Sequence, residues 1–333
     1  TRSLGMPFPN RRVFEQKPVF LPEEGRTVIP PPGIGRGFWA GGCSALYDEI
    51  KGRFYLCYRV RTPDSRGGVC RIAESKDGVS FETIKEIRRE ELDSQSIEKS
   101  SIIIAENGDV RLYISYVENR TSRWRIDLIE ASAWEALDPG KGVPVLTPEQ
   151  CGNQGVKDPV ILRCNGAYHL YANYAPNPVN ETSDSLSRMH AEGNAFVSGV
   201  VDTGTGLATS PDGRTFNWHG SVMDPDEGWD GFMIRFVSVI HTPPVFTVFH
   251  DGRPDVTASY EDKCGIAVSL DLRHFTKVSQ TAPVLSSSEG TGCLRYLSAV
   301  QTDSDTYYYY EYARGDGSHE LRMNRVEKGA GYV

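Results

Sequence analysis

The chain has 333 residues, 36 Lys and Arg against 44 Asp and Glu, and a net charge of −8. Mild acidity without a Lys/Arg block argues against nucleic acid or an anionic membrane as the main partner, and no apolar run approaches the ~20 residues of a membrane helix. The seven cysteines, at 43, 57, 70, 151, 164, 264 and 293, are widely spaced with no C-x-x-C, which disfavours a disulfide scaffold and a structural zinc site. Residues 1–10 lack an apolar secretory core, so a cytoplasmic location is expected, with secretion left open if a signal peptide is missing from this sequence.

The 33 Gly, 20 Pro, 16 Tyr and 13 Phe suit short strands joined by tight turns. In chain order, strand-like runs at 39–47 and 53–60 lead to residues 75–81, which read S-K-D-G-V-S-F. A second unit has runs at 97–105, 110–117 and 123–130 without an Asp-Gly turn, and 131–137 is expected to form a turn or two of helix. A third has runs at 156–163 and 167–174, then S-P-D-G-R-T-F at 210–216. A fourth has runs at 235–241 and 245–249, then a weaker copy, S-L-D-L-R-H-F, at 269–275. A fifth has runs at 294–302, 306–312 and 319–325. In these copies Asp accepts turn N–H groups, Gly, where present, supplies a positive φ, and the aromatic residue anchors the next strand.

Aligning the first strands places Gly41, Glu98, Asp158, Arg235 and Arg295 at equivalent positions, at intervals of 57, 60, 77 and 60 residues. The long interval holds a polar insertion, 175–203, expected to wall the site. Five such units predict an all-β, five-bladed β-propeller, with a two-domain β-sandwich as the competing arrangement. The whole of 1–333 is then one domain, with 1–37 as an N-terminal extension and blades at about 38–86, 95–147, 155–222, 233–280 and 292–327. The stretch 12–30 is expected to supply the missing outer strand of the fifth blade.

First strands border the central channel of a propeller, so the aligned residues are candidates for one site. Val-Lys-Asp-Pro-Val-Ile at 156–161 resembles the x-D-P motif that opens an inner strand in five-bladed glycoside hydrolases, those around families 32, 43, 68, 117 and 130. Their hairpins carry similar S-x-D-G turns, and the resemblance covers 39–325 at the level of blade pattern. It implies a carbohydrate substrate and carboxylates contributed by different blades. Cleavage of an acetal needs one ionised carboxylate and one protonated carboxyl group. Glu98, Asp158 and Asp230 are the catalytic candidates. Trp39, Lys99, Lys157, Trp229, Arg235, His250, Arg295 and Glu311 are the candidates for binding substrate. Trp229 suits sugar stacking, and the four cations suit a carboxylate or phosphate on the substrate. Asp251 accompanies His250 as a weaker candidate, and Glu261 and Asp262 precede an outer strand and fit less well. Families 32 and 43 usually place an Asp at the start of the first blade, whereas residues 39–44 here read W-A-G-G-C-S, so that base does not carry over. The reading is a glycosidase without an organic cofactor. The resemblance allows a structural Ca²⁺ in the channel, an inverting phosphorylase, or a non-catalytic glycan-binding propeller.

Overall fold

The computed structural model describes residues 19–328. It is a five-bladed β-propeller. Blade I is Trp39–Asp48, Arg53–Thr62, Ser65–Ser75 and Glu82–Arg88. Blade II opens with two short strands, Ser94–Ile97 and Ser101–Ile104, both paired to Val110–Glu118, and continues with Trp124–Ala131 and Val143–Leu146. Blade III is Gly155–Cys164, Ala167–Ala175, Gly204–Ser210 and Asn217–Met223, and blade IV is Met233–Thr242, Val245–Arg253, Lys263–Ser269 and Thr276–Lys277. Blade V has Leu294–Gln301, Asp305–Ala313 and His319–Glu327, with Arg26–Ile29 as its fourth strand. This last strand falls within the stretch expected to close the ring, of which residues 12–18 lie outside the described ones.

Packing on both faces of each sheet explains the side-chain patterns. All nine residues of Asp305–Ala313 are buried, as are eight of nine in Val110–Glu118, because second strands are sandwiched between neighbouring blades. The outer strand Asn217–Met223 alternates instead, with one face in solvent. The expected turns form: Asp77 Oδ1 accepts N–H groups from Val79 and Ser80, both at 2.8 Å, and Gly78 has φ +72°. In the weaker copy the glycine position is Leu272, which still takes φ +60°. Each of these three turns is clamped from the preceding blade by a tyrosine hydroxyl. Tyr309 donates to the Gly78 carbonyl, Tyr113 to Gly213 and Tyr171 to Leu272, at 2.8, 2.6 and 2.6 Å.

A second repeated contact closes the ring at the axis. A serine hydroxyl in one first strand accepts a backbone N–H from the next blade. Ser44 accepts from Ile102 (3.2 Å), Ser101 from Ile161 (3.2 Å), Ser238 from Ala299 (2.9 Å) and Ser298 from Ala45 (2.9 Å). Val160 holds the equivalent place in blade III. The last of these bonds joins blade V to blade I, beside the pairing of Trp39 with His319. The expected helical turn at 131–137 is a 3₁₀ turn, Trp134–Ala136, and the insertion contains a helix, Ser183–His190, that the sequence pattern did not announce.

Ser298→Ala leaves the Ala45 N–H without its partner. Chemical denaturation should read a loss of about 1 kcal/mol, the net worth of a part-buried hydrogen bond; an unchanged midpoint would show that the serine contacts do not close the ring.

Candidate functional site at the propeller axis

Each inner strand is kinked where it reaches the axis. The register of first against second strand shifts between Gly41 and Ser44, Lys157 and Val160, Phe236 and Ser238, and Arg295 and Ser298. A β-bulge adds a residue and re-aims its side chain. Gly42, Asp158 and Tyr296 occupy it with φ of +62°, +55° and +54°. These registers correct the sequence alignment by one residue. Lys157, not Asp158, is equivalent to Gly41, Arg235 and Arg295, and Asp158 is the bulge residue beyond it. The second strands place Arg59, Asn173, Asp251 and Glu311 directly opposite Gly41, Lys157, Arg235 and Arg295. These residues form a further polar tier at the axis.

Arg235 is the centre of the cluster. Its Nη1 donates to Asp158 Oδ2 at 2.9 Å, and its Nη2 to Asp251 Oδ2 at 2.6 Å and Asp262 Oδ2 at 2.8 Å. The guanidinium lies 4.0 Å from the centroid of Tyr296, whose hydroxyl is 3.4 Å from Asp158 Oδ2. All three carboxylates are buried. Burial and the neighbouring Asp262 raise Asp251 to about 6 against the pull of Arg235. Burial pushes Asp262 the same way, but Arg253, Arg235 and Arg295 outweigh it and hold the group down at about 2. Asp158 also lies below the usual carboxylate range, because Lys157 and Arg235 outweigh its burial. Asp158 Oδ1 and Asp251 Oδ1 are buried without a hydrogen-bond partner.

Glu98 is paired with Arg59, accepts from Ser96 Oγ at 3.1 Å, and lies 3.9 Å from Arg66 Nε. Lys99 is turned away, donating to the Pro159 carbonyl, and burial lowers it to about 8. Glu311 accepts from Arg295 Nε (2.9 Å) and Nη2 (2.6 Å), from Gly42 N (3.1 Å), and is 2.6 Å from His319 Nδ1. Arg295 and His319 outweigh burial and hold it well below the usual range. A Cβ on Gly41 would fall inside this carboxylate, so the first strand of blade I has no side chain at this position because the fifth blade fills the space. Trp39 is buried against His319, with ring centroids 4.5 Å apart, and donates Nε1–H to the Gly317 carbonyl at 3.2 Å.

These groups surround a cavity of about 420 Å³, counting its open mouth. Its walls include Arg59 and Arg66 of blade I, Glu98 of blade II, Lys157 and Asn173 of blade III, Arg235 and Arg253 of blade IV, and Arg295 and Tyr296 of blade V. Asp262 and Tyr260 complete it from the loop before Lys263–Ser269. Tyr260 has φ +75°, an uncommon conformation for an aromatic residue, and Arg61 lies 4.8 Å from its ring centroid. The insertion forms a wall through Gly193, Phe196 and Val197. It is tied down by Arg66 donating to the Glu192 and Gly193 carbonyls, at 3.2 and 3.3 Å, and by Arg253 donating to the Phe196 carbonyl at 2.8 Å.

Apart from Asp158 and Glu311, which are buried behind the wall, five expected site residues do not line this cavity: Trp39 and Lys99, described above, and Trp229, Asp230 and His250 of blade IV and its entrance. Asp230 is buried and receives Lys277 Nζ at 3.1 and 3.2 Å, which pins it to the outer strand of its own blade. Trp229 packs on the sheet over two glycines, donating to the Ser279 carbonyl at 2.8 Å; a Cβ at Gly252 or Gly265 would come within 2.7 or 2.6 Å of its ring. His250 is buried beneath Trp229 at a centroid distance of 5.4 Å, and burial lowers it to about 3. It alternates with Asp251 along the strand, so only one of the two faces the axis. Asp262, set aside in the sequence because it precedes an outer strand, belongs to the cluster: Gly252 pairs with Lys263, so the residue before Lys263 lies at the mouth. Arg59, Arg253, Tyr260 and Tyr296 were also missed. The signal for the second tier was a polar residue sixteen to eighteen positions after each first-strand residue.

Among the described residues no group of three or more His, Cys, Asp and Glu side chains could hold a metal ion. The three converging carboxylates share the Arg235 guanidinium, which supplies the positive charge a Ca²⁺ would bring, and the site does not fit that ion. No helix among these residues is long and apolar enough to cross a membrane.

No protein-family profile and no curated protein matches the chain. Solved structures do. The chain is similar to a glycoside hydrolase at 12% identity and a TM-score of 0.67, over 93% of this chain and 92% of that one. It is similar to the β-1,2-mannobiose phosphorylase of Listeria innocua, in complex with β-1,2-mannobiose, at 17% and 0.61, over 90% and 94%. It is also similar to a family 32 β-fructofuranosidase of Bombyx mori at 14% and 0.62, over 91% of this chain and 62% of that one. These likenesses establish the shared fold.

The raised Asp251 sets a pH signature. Its folded value, about 6, exceeds the ~3.9 of an unfolded aspartate, so the folded chain holds an extra proton between them. The contribution of this group is therefore present below about pH 4 and is lost as pH rises to about 6. The stability difference between the parent and Asp251→Asn, measured by denaturation across pH, should fall over this window and level off above it. A difference that is flat with pH would contradict the assignment.

Proposed function

We propose that the chain is a glycan-active enzyme that takes a sugar into the axial cavity and cleaves a glycosidic bond there. The observation that carries this reading is the convergence of arginines, carboxylates and aromatic rings from all five blades on one cavity. The fold shared with solved glycoside hydrolases and a phosphorylase supports it.

Glu98 and Asp158 are the proposed reacting carboxylates. Glu98 lines the cavity, paired with Arg59. Asp158 lies just beneath, held through Oδ2 by Arg235 while its Oδ1 has no partner. An ionised carboxylate activates water or stabilises the developing cation. Asp251 is the axial carboxyl group with a proton to exchange near neutral pH. No cofactor enters this scheme, and degradation of a polysaccharide is the proposed context.

Asp158→Asn keeps a residue type that tolerates φ near +55°, so the fold should survive. Turnover of the glycoside should fall about a thousandfold in a chain that still unfolds in one cooperative transition; full activity would overturn the assignment. Running the assay with and without inorganic phosphate separates hydrolysis from phosphorolysis. One observation favours a second reading, a glycan-binding propeller: each axial carboxylate is engaged by an arginine. Binding of a glycan without cleavage would select it.

A further inference from the structure

We propose that the sugar taken by this cavity is acidic: a hexuronate or its glycoside, whose carboxylate is clamped between Arg66 and Lys157. The inference rests on the proposed function only in treating the cavity as a sugar site.

The cavity wall is cationic. Arg59, Arg66, Lys157, Arg235, Arg253 and Arg295 line it, against two carboxylates, Glu98 and Asp262. Asp158, Asp251 and Glu311 are fully buried behind that surface, where they neutralise Arg235 and Arg295. Arg59 is paired with Glu98, and Arg253 with Asp262 at 3.1 Å.

Two cations are paired only at long range, each 3.9 Å or more from its carboxylate. Arg66 donates only to the two carbonyls of the insertion, its Nε is buried and unpartnered, and Glu98 is 3.9 Å away. Lys157 is nine-tenths buried, and its ammonium is 4.0 Å from Asp158. Both stand over one indole, Arg66 at 5.3 Å and Lys157 at 4.9 Å from the centroid of Trp124. Both also line the same cavity. A carboxylate placed there gains a charge-assisted contact from each, whereas a neutral sugar leaves both with only their long-range partners.

The rest of the wall selects a sugar acid over a bare anion. Phe196, Tyr260 and Tyr296 line the cavity, and aromatic walls suit the C–H faces of a pyranose. Inorganic phosphate would leave these rings without a partner. Burial and neighbouring cations also hold Lys157 well below its ordinary value, a penalty that a ligand anion relieves.

The test is isothermal titration calorimetry of the full chain with D-glucuronate, D-galacturonate, D-glucose, D-galactose and inorganic phosphate. At least one uronate should bind about tenfold or more tightly than its neutral counterpart. Arg66→Gln and Lys157→Met should each reduce that preference by about fivefold or more, in chains that still unfold in one cooperative transition. If one variant fails to fold, the other carries the test. Equal binding of acid and neutral sugar, no binding of either uronate, or phosphate binding as tightly as the uronates would overturn the proposal. Uronate binding without cleavage of any glycoside would overturn the catalytic reading and leave this one standing. Cleavage of a neutral glycoside with no preference for acids would do the reverse.

Discussion

One guanidinium governs the axis of this propeller. Arg235 ties Asp158 of blade III to Asp251 and Asp262 of its own blade, and Asp262 continues the network to Arg253 and, at 3.6 Å, to Arg295 of blade V. Each of these charges is costly to bury alone and acceptable only in company. The blades can therefore bring ionisable groups to a narrow axis only if the groups arrive as a balanced set. The cavity is the space left when that set is assembled, and its shape follows from which groups are tied behind the wall and which face it.

The same constraint explains features that look unrelated along the chain. Gly41 leaves room for the Glu311 carboxylate and Gly42 donates its N–H to it, so the fifth blade supplies the negative charge that the first does not. The left-handed residues Asp158 and Tyr296 sit at equivalent bulges and meet over Arg235. The serine contacts just below hold the blades at the spacing the charges require. The insertion then covers the mouth, fastened by backbone carbonyls to Arg66 and Arg253. Backbone strain, glycine placement and ion pairing thus serve one small volume.

The blade repeat was legible in the sequence because its signal is local. Ser, Asp and a residue with positive φ within four positions make the turn wherever they occur, even with Leu272 in the glycine place. The axial tier was only partly legible because its register depends on bulges, and a single extra residue moved Asp158 out of alignment with Glu98. Asp262 reaches the axis from the start of a third strand, which no first-strand alignment can reveal. Asp230 and Trp229 read as site residues because they precede a blade, yet Gly252 and Gly265 open a slot on the sheet that takes them off the axis.

The central claim is that Arg235 and Asp158 are energetically joined across the blade boundary. A double-mutant cycle of Arg235→Met and Asp158→Asn, read by chemical denaturation, measures this directly. The account predicts that Arg235→Met alone costs about 3–5 kcal/mol, the penalty for stranding buried charge. It also predicts a coupling energy of about 2 kcal/mol, within the range for groups in one network. Effects that simply add, with a coupling energy near zero, would contradict it.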